Sequence, residues 1–278
     1  MKEATTPNGR RAAGREQSLG GWLKVAGLGP GDDALITPEV SAALADATDV
    51  VGYVPYVERV APRPGLTRHG SDNREEIRRA EQALQLAATG HRVVVVSSGD
   101  PGVFAMAAAL FEALEASEPA WRALDIQVLP GISAMLAASA RVGAPLGHDF
   151  CCINLSDNLK PWALIEKRLR LAAEADFAMA FYNPRSRARP EGFERALEVL
   201  REACGPERLI VFARAVSTPE ESLRVTTLGE AQPDMADMRT LVMVGSSHTR
   251  LIQRHAGGAE RQSTPWVYTP RSVSGAGS

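Results

Sequence analysis

A chain of 278 residues with 45% apolar content has material for one large or two modest domains and can bury a real core. Its formal net charge of -2 gives no global attraction to nucleic acid or to an anionic membrane, so a polyanionic partner has to be met by a local patch. Three cysteines without a CxxC pair argue against a disulfide framework or a thiolate metal site and fit a reduced, cytoplasmic protein, and no apolar run approaches the roughly 18 residues of a membrane span.

Residues 1–20 are polar, glycine-containing and mildly basic, and they lack the apolar centre of a secretory signal. They are expected to form a disordered leader, with Glu3 and Glu16 speaking against an organellar transit peptide. Trp22 to Leu28 reads as a first strand that runs into Gly29-Pro30-Gly31-Asp32, and a helix begins after Thr37-Pro38. A strand, a glycine-rich turn and a helix suggest a dinucleotide fingerprint or a phosphate loop, but the spacing fits neither. Gly27, Gly29 and Gly31 alternate where GxGxxG is needed, Pro30 lacks an N–H, and no Gly-Lys-Ser/Thr follows. A ligand loop and a plain tight turn both stay open. The second strand, near Asp49-Val50-Val51, ends in Gly52-Tyr53, without the acidic residue of a dinucleotide enzyme. Tyr53 and Tyr56 follow at the carboxyl end of that strand, where a parallel sheet binds ligands, and either face a substrate or pack on the next loop. Arg68 to Arg74 reads as a loop, with Ser71 or Asp72 capping a helix of solvated charges that runs to about Ala88.

His91 to Val96 is continuous in valine, as a central parallel strand should be. It empties into Ser97-Ser98-Gly99-Asp100-Pro101-Gly102-Val103, where Asp100 is placed to hold a hydroxyl or an amine of a ligand, with capping of the next helix as the simpler alternative. A helix from Phe104 to about Ala116 and a strand at Asp125–Leu129 come next. Pro130-Gly131 then leads into an alanine-rich helix with Ser133 as its cap, ending near Val142. Such a face admits another backbone or a flat ligand, and tight helix-on-sheet packing is the simpler account of the alanines. Gly143-Ala144-Pro145-Leu146-Gly147 cannot continue the helix. Residues 143–150 therefore read as a hinge between an N-terminal α/β domain at 21–142 and a C-terminal one at 151–254, with a loose tail at 255–278.

In the second half, strands are expected at Cys151–Leu155, Asp176–Phe181, Leu209–Ala213, Ser222–Thr227 and Thr240–Val244. Helices are expected from Trp162 to Ala173 and from about Pro190 to Ala203. The alternation defines an α/β fold. Each strand ends in Gly, Ser, Asn or Arg, so the strand ends should form one polar, partly basic rim, the default site.

VAGLGPGD at Val25 to Asp32, SSGDPGVF at Ser97 to Phe104, PGISA at Pro130 to Ala134, FYNPRS at Phe181 to Ser186 and TLVMVGSS at Thr240 to Ser247 resemble, in this order, the motifs of the tetrapyrrole methylases. The stretch GAPLGHDFCCINLSDNLKPW, with GYVPYV and YNPRSR, is similar to the branch of that family that methylates C17 of a precorrin and contracts the ring in cobalamin biosynthesis. The resemblance implies two α/β domains with an active-site cleft between them. It also implies S-adenosylmethionine bound folded and largely by backbone, a small-molecule tetrapyrrole substrate and a homodimer, with no nucleic acid, membrane or metal. By motif position it assigns Pro30, Ser98, Gly99, Asp100 and Val103 to the methionine and ribose parts of the cosubstrate. Ser133, Ala134, Tyr182, Asn183, Ala215 and Thr240 are assigned to its adenosine side. The segment Ala213-Arg214-Ala215-Val216 departs from the family's Gly- and Asn-containing pattern, so its contacts rest on position alone.

Methyl transfer from a sulfonium to an electron-rich carbon mainly needs alignment in a dry cleft. Ring contraction needs a base on a tertiary hydroxyl and an acid on a departing lactone oxygen. Asp157, Lys160, Tyr53 and His69 are the catalytic candidates, and Asp157 can equally be a helix cap. Tyr56, Arg68, Arg185, Arg187 and Arg214 are the candidates for binding a polycarboxylate substrate. His148 and His248 lack metal-ligand spacing. Other readings are a cobalt-containing substrate, methylation at another ring carbon or of a protein side chain, and a non-catalytic cofactor-binding module. The last has no reason to keep the long segment from Gly143 to Trp162.

Overall fold

The computed structural model describes residues 21–186, 188–254 and 264–272. The leader at 1–20, Arg187 and the tail residues 255–263 and 273–278 lie outside the described residues. The first half contains β1 (Trp22–Gly27), α1 (Pro38–Asp46), β2 (Asp49–Tyr53), the single turn α2 (Val54–Val57), β3 (Thr67–Ser71), α3 (Glu76–Ala88), β4 (Arg92–Ser97), α4 (Met106–Ala116) and β5 (Asp125–Leu129). Its five strands are all parallel, in the order β3-β2-β4-β1-β5. The valine run of β4 is buried because both faces of the sheet are covered: Val93 and Val95 pack with α3 and α4, and Val94 and Val96 pack with Val40 and Ala43 of α1. Thr37 caps α1, accepting from the Val40 N–H, and the Arg63 guanidinium donates to the carbonyls of Leu44 and Ala47 at its other end.

Two expectations for this half are corrected. Thr67–Ser71 is not a loop but β3, the edge strand beside β2, because Thr67 to Ser71 pair in register with Asp49 to Tyr53. Neither Ser71 nor Asp72 caps α3. The Ser71 hydroxyl and the Asp72 carbonyl instead accept from Arg79, a buried arginine on a helix whose charges read as solvated. Burial pushes the Arg79 guanidinium below its ordinary pKa, opposed by Glu76 and Glu75.

The strand β3 also removes His69 from the predicted catalytic set. Its Nε2 lies 2.8 Å from Asp49 Oδ1, and His91 Nδ1 lies 2.7 Å from Asp49 Oδ2. Asp49 opens β2, so this cluster sits at the amino end of a parallel sheet, opposite the ligand-binding edge. Burial alone would raise the Asp49 carboxyl, but hydrogen bonds from His69, His91 and Thr48 outweigh it and hold the carboxyl below its ordinary range. A depressed folded pKa stabilises fully above the unfolded value of about 4 and fades as pH falls through the folded one. Asp49→Ala is therefore expected to lower stability by about 3 kcal/mol near neutrality. Denaturant melts should show that gap closing below about pH 4, and a pH-independent gap would refute the assignment.

The second half holds α5 (Ala134–Val142), β6 (Gly143–Ala144), β7 (Phe150–Asn154), α6 (Trp162–Glu174), β8 (Ala178–Tyr182), α7 (Gly192–Cys204), β9 (Leu209–Arg214), β10 (Ser222–Thr227), β11 (Thr240–Val244), β12 (Arg250–Ile252) and β13 (Trp266–Tyr268). Its five-stranded sheet has the order β10-β9-β11-β8-β7. Strands β7 and β8 are parallel, whereas β11 runs antiparallel to both β8 and β9. The strand ends consequently do not form one rim. The amino end of β11, Thr240, stands beside Arg214 at the carboxyl end of β9, and Gly245-Ser246-Ser247 leaves at the far end. There the Asp176 carboxylate accepts from Ser247 and pairs with Arg208 at 2.9 Å.

α6 and α7 cover one face of this sheet through Ile165, Leu169, Phe193, Leu197 and Leu200. The other face is covered by α5, whose Ala137, Ala138 and Val142 pack with Ala180, Val211, Ala213 and Met243. The boundary expected at Val142 is thus crossed by packing: α5 precedes the expected hinge in sequence yet belongs to the core of the second sheet. Small side chains on this helix bring its backbone close to the sheet. The segment expected to be a hinge and the described part of the tail, 264–272, are joined to each other. Gly143–Ala144 pairs in parallel with Val267–Tyr268 in a three-stranded sheet, Val267 is buried, and the Thr269 hydroxyl donates to the Pro145 carbonyl at 2.6 Å. The returning chain pins the segment between the halves. Among the described residues no helix is long and apolar enough to cross a membrane, and no group of three or more His, Cys, Asp or Glu is arranged to hold a metal ion.

Candidate active site

Three loops leave the carboxyl ends of β1, β4 and β5 side by side, and glycine lets their backbones touch. A Cβ on Gly131 would lie 2.2 Å from the Gly99 oxygen and 2.8 Å from the Gly27 Cα, and one on Gly27 would lie 2.4 Å from the Gly99 oxygen. Gly29 and Gly99 exchange backbone hydrogen bonds of 3.2 and 2.9 Å. The alternating glycines therefore serve loop-on-loop packing, which explains why no dinucleotide spacing is present. Asp100 completes this knot. Its Oδ1 accepts from the Gly102 N–H at 2.8 Å and its Oδ2 from the Gly131 N–H at 3.0 Å, so one carboxylate joins the β4 and β5 loops and leaves further lone pairs free.

The second half closes against these loops. A Cβ on Gly31 would meet the Ser217 oxygen and the Thr218 methyl, both at 2.6 Å. Ser133 is the amino-terminal cap residue of α5, yet its hydroxyl makes no capping bond to its own helix. It pairs instead with the Tyr182 hydroxyl from the end of β8, and that hydroxyl also accepts from the Met135 N–H at 3.0 Å. Tyr182 thus caps α5 from the opposite strand end. Burial pushes its hydroxyl above the ordinary tyrosine value, with Ser133 and Met135 opposing. The Phe104 ring packs edge-on to Tyr182 with centroids 5.5 Å apart. Phe104 is half exposed and sits at φ 52°, a conformation that bulky side chains avoid, so this loop carries backbone strain.

The tyrosines and the polar loops flank this centre. Tyr53 and Tyr56 pack edge to face, with centroids 5.3 Å apart. Burial, then Tyr53, pushes the Tyr56 hydroxyl above its ordinary value, with the Ser98 hydroxyl opposing. On the second sheet, Asn183 stands at φ 53° and its side chain donates to the Asn154 carbonyl oxygen Oδ1 at 3.2 Å, joining the ends of β8 and β7. Lys160 Nζ donates to the Ser156 carbonyl at 2.8 Å, and Asp157 faces Arg189 at 3.8 Å. Burial, then Arg168 and Arg189, lowers the Lys160 ammonium pKa, with Asp157 opposing. Pro161, not Asp157, is the cap residue of α6.

The structure brings together Pro30, Ser98, Gly99, Asp100, Val103, Ser133, Ala134 and Tyr182 around the knotted loops, with Asn183, Asp157 and Lys160 on the opposing sheet end. Ala215, at φ 50°, is tied to the Arg239 carbonyl, and Thr240 shares hydrogen bonds with Asp237. Arg214 is held by Asp237 at 2.8 Å and Arg185 by the Pro190 carbonyl at 3.3 Å. Arg68 is not on a rim loop: it lies in β3 and donates to the Val60 carbonyl. Arg187 lies outside the described residues. Sequence reasoning did not name Phe104, which ends a quoted motif and packs on Tyr182, or Arg189, which pairs with Asp157. A depression of about 450 Å³ lined by Thr48, Asp49, Thr67 and His91 lies at the opposite end of the first sheet, away from every one of these loops, so we place the site at the carboxyl ends.

Two sheets whose glycine loops and strand-end tyrosine meet are the frame of a known class. The family model for Tetrapyrrole (Corrin/Porphyrin) Methylases matches residues 23–232, and the chain belongs to that family. Within it, the chain is 49% identical to the precorrin-3B C(17)-methyltransferase of Sinorhizobium sp. over 256 residues, covering 92% of this chain and 98% of that protein. Its fold matches the crystal structure of the methyltransferase CobJ with a TM-score of 0.83 and 65% identity, covering 90% of this chain and all of that one. A Salmonella typhimurium protein named as a probable cobalt-factor III C(17)-methyltransferase is 40% identical over 232 residues, covering 82% of this chain and 93% of that protein.

Proposed function

We propose that the chain transfers a methyl group from S-adenosylmethionine to C17 of precorrin-3B, with ring contraction to precorrin-4, in cobalamin biosynthesis. The observation that carries this reading is the 49% identity that runs end to end along the Sinorhizobium protein named as a precorrin-3B C(17)-methyltransferase. The residues present suit the cosubstrate. Its cationic sulfonium and ammonium groups favour the carboxylate of Asp100, and its adenosine can lie along the half-buried Ala134 and Asn183 beside the buried Ser133. When bound, it supplies the methyl group: a bond forms from the ring carbon to that methyl, and the carbon–sulfur bond breaks with its electron pair leaving on sulfur.

The chain's own residues then hold and orient. Pro30, Ser98, Gly99, Asp100 and Val103 bound one side of the cosubstrate, and Ser133, Ala134, Tyr182, Asn183, Ala215 and Thr240 the other. Phe104 and Tyr182 give an apolar wall that excludes water and meets the flat macrocycle. Arg185, Arg214, Arg187 and Tyr56 take substrate carboxylates, and Arg189 joins them. For contraction, Lys160, Asp157 and Tyr53 are the groups for proton transfer, with Lys160 favoured because burial and then Arg168 and Arg189 lower its pKa and make its proton easier to release. The enzyme works in the cytoplasm as a homodimer.

Mass spectrometry of precorrin-3B incubated anaerobically with the protein and S-adenosylmethionine tests this. One added methyl and a ring-borne acetyl group are expected. Turnover of cobalt-factor III alone would replace the substrate assignment with the one carried by the Salmonella relative's name. Failure to bind S-adenosylhomocysteine would remove the methyltransferase reading altogether.

A further inference from the structure

The β1–α1 loop owes its shape to a residue outside itself. Arg59 follows the short turn that carries Tyr53 and Tyr56, and its guanidinium reaches across to three carbonyls of that loop. Its Nη2 donates to Leu28 at 2.7 Å and to Gly31 at 3.0 Å, and its Nη1 donates to Gly29 at 3.2 Å. The Asp33 carboxylate stands 3.7 Å away on the outer side, and the Arg59 side chain is only 21% exposed. Carbonyl dipoles that converge on one point repel one another unless a cation sits there, and a planar fork of donors fits them where an ammonium cannot. The β4 loop holds Leu28 and Gly29 through Ser97 and Gly99, but Pro30 has no N–H to give, and the carbonyls of Leu28 and Gly31 are held by Arg59. The loop must be fixed, because Gly31 packs directly on Ser217 and Thr218 of the other half.

We infer that Arg59 is a positioning residue for the cosubstrate. It holds Leu28 to Gly31 in the shape that S-adenosylmethionine meets at Pro30, and it ties that loop to the segment bearing the two substrate-side tyrosines. The inference rests on the methyltransferase reading and deepens it. The full chain, Arg59→Lys and Arg59→Ala are titrated with S-adenosylhomocysteine by calorimetry, well below their thermal midpoints, and assayed for methyl transfer. Arg59→Lys keeps the charge and loses the fork. It is expected to weaken S-adenosylhomocysteine binding about tenfold or more and to raise the KM for S-adenosylmethionine in parallel, with kcat within about threefold of the parent chain. Millimolar methylguanidinium is expected to restore part of the affinity of Arg59→Ala. A merely structural arginine would lower the midpoint and leave the affinity of the folded protein within about twofold, and that result overturns the inference. Should Arg59→Ala fail to fold, Arg59→Lys alone decides between these results. If the parent chain itself does not bind S-adenosylhomocysteine, the methyltransferase reading falls and takes this inference with it; tight binding by the parent and by Arg59→Lys alike removes the inference only.

Discussion

Gly131→Ala is expected to abolish methyl transfer and to lower the thermal midpoint by roughly 5–10 °C, from an overpacking penalty of about 2–3 kcal/mol. The added Cβ would stand 2.2 Å from the Gly99 oxygen and 2.8 Å from the Gly27 Cα. Both are backbone, so no side chain can swing away. The β5 loop would have to retreat from the β1 and β4 loops, and the Asp100 carboxylate would lose the Gly131 N–H in the process. Gly192→Ala is the matched control, since nothing stands within 4 Å of its added carbon at the start of α7. That variant is expected to melt at or slightly above the parent midpoint, as alanine restricts the unfolded chain more than glycine does. Thermal melts and S-adenosylhomocysteine titrations of the pair check this. Parent-like melting of Gly131→Ala would show that the three loops are not in close contact.

Asp100→Asn is expected to weaken S-adenosylhomocysteine binding by about ten- to a hundredfold while leaving the fold intact. The amide is nearly isosteric, but only one of its two terminal atoms accepts a hydrogen bond, so either the Gly102 or the Gly131 N–H is left facing an NH₂ group. A hydrogen bond to a charged group is worth about 1.5–3 kcal/mol, and about 1.4 kcal/mol is one power of ten in affinity. The same change removes the negative charge offered to a cationic ligand. Calorimetry separates this from unfolding, because circular dichroism of the variant should match the parent. An unchanged affinity would mean that the ligand does not depend on the β4 loop.

The two variants probe features that differ in how far they could be read in advance. Asp100 stood out as a candidate position because it stands alone in a small polar loop after a valine-rich strand. Its actual partners, the N–H groups of Gly102 and Gly131, were not. The glycines of the β1 loop suggested close approach to a ligand, whereas their nearest neighbours are other loops of the same sheet. In both cases local chemistry indicates that something must come near, and long-range pairing decides what it is.

What the sequence by itself determined was the α/β alternation, the bounds of every main strand but β3 to within a residue or two, the order of the motif loops and the family they belong to. Those features are written in short-range patterns: runs of β-branched residues, turn residues at their ends, and an alanine-rich stretch after Pro130-Gly131. Tertiary structure alone decided four further matters. β11 runs antiparallel, so Thr240 rather than Ser247 stands beside Arg214. α5 packs on the second sheet although it precedes the segment between the halves. His69 turns to Asp49 at the far end of the first sheet. Tyr182 reaches the amino end of α5 in place of a local cap. Each depends on which residues distant in the chain become neighbours, and a side-chain pattern with a period of two or 3.6 is the same for a strand running in either direction and for a helix on either sheet.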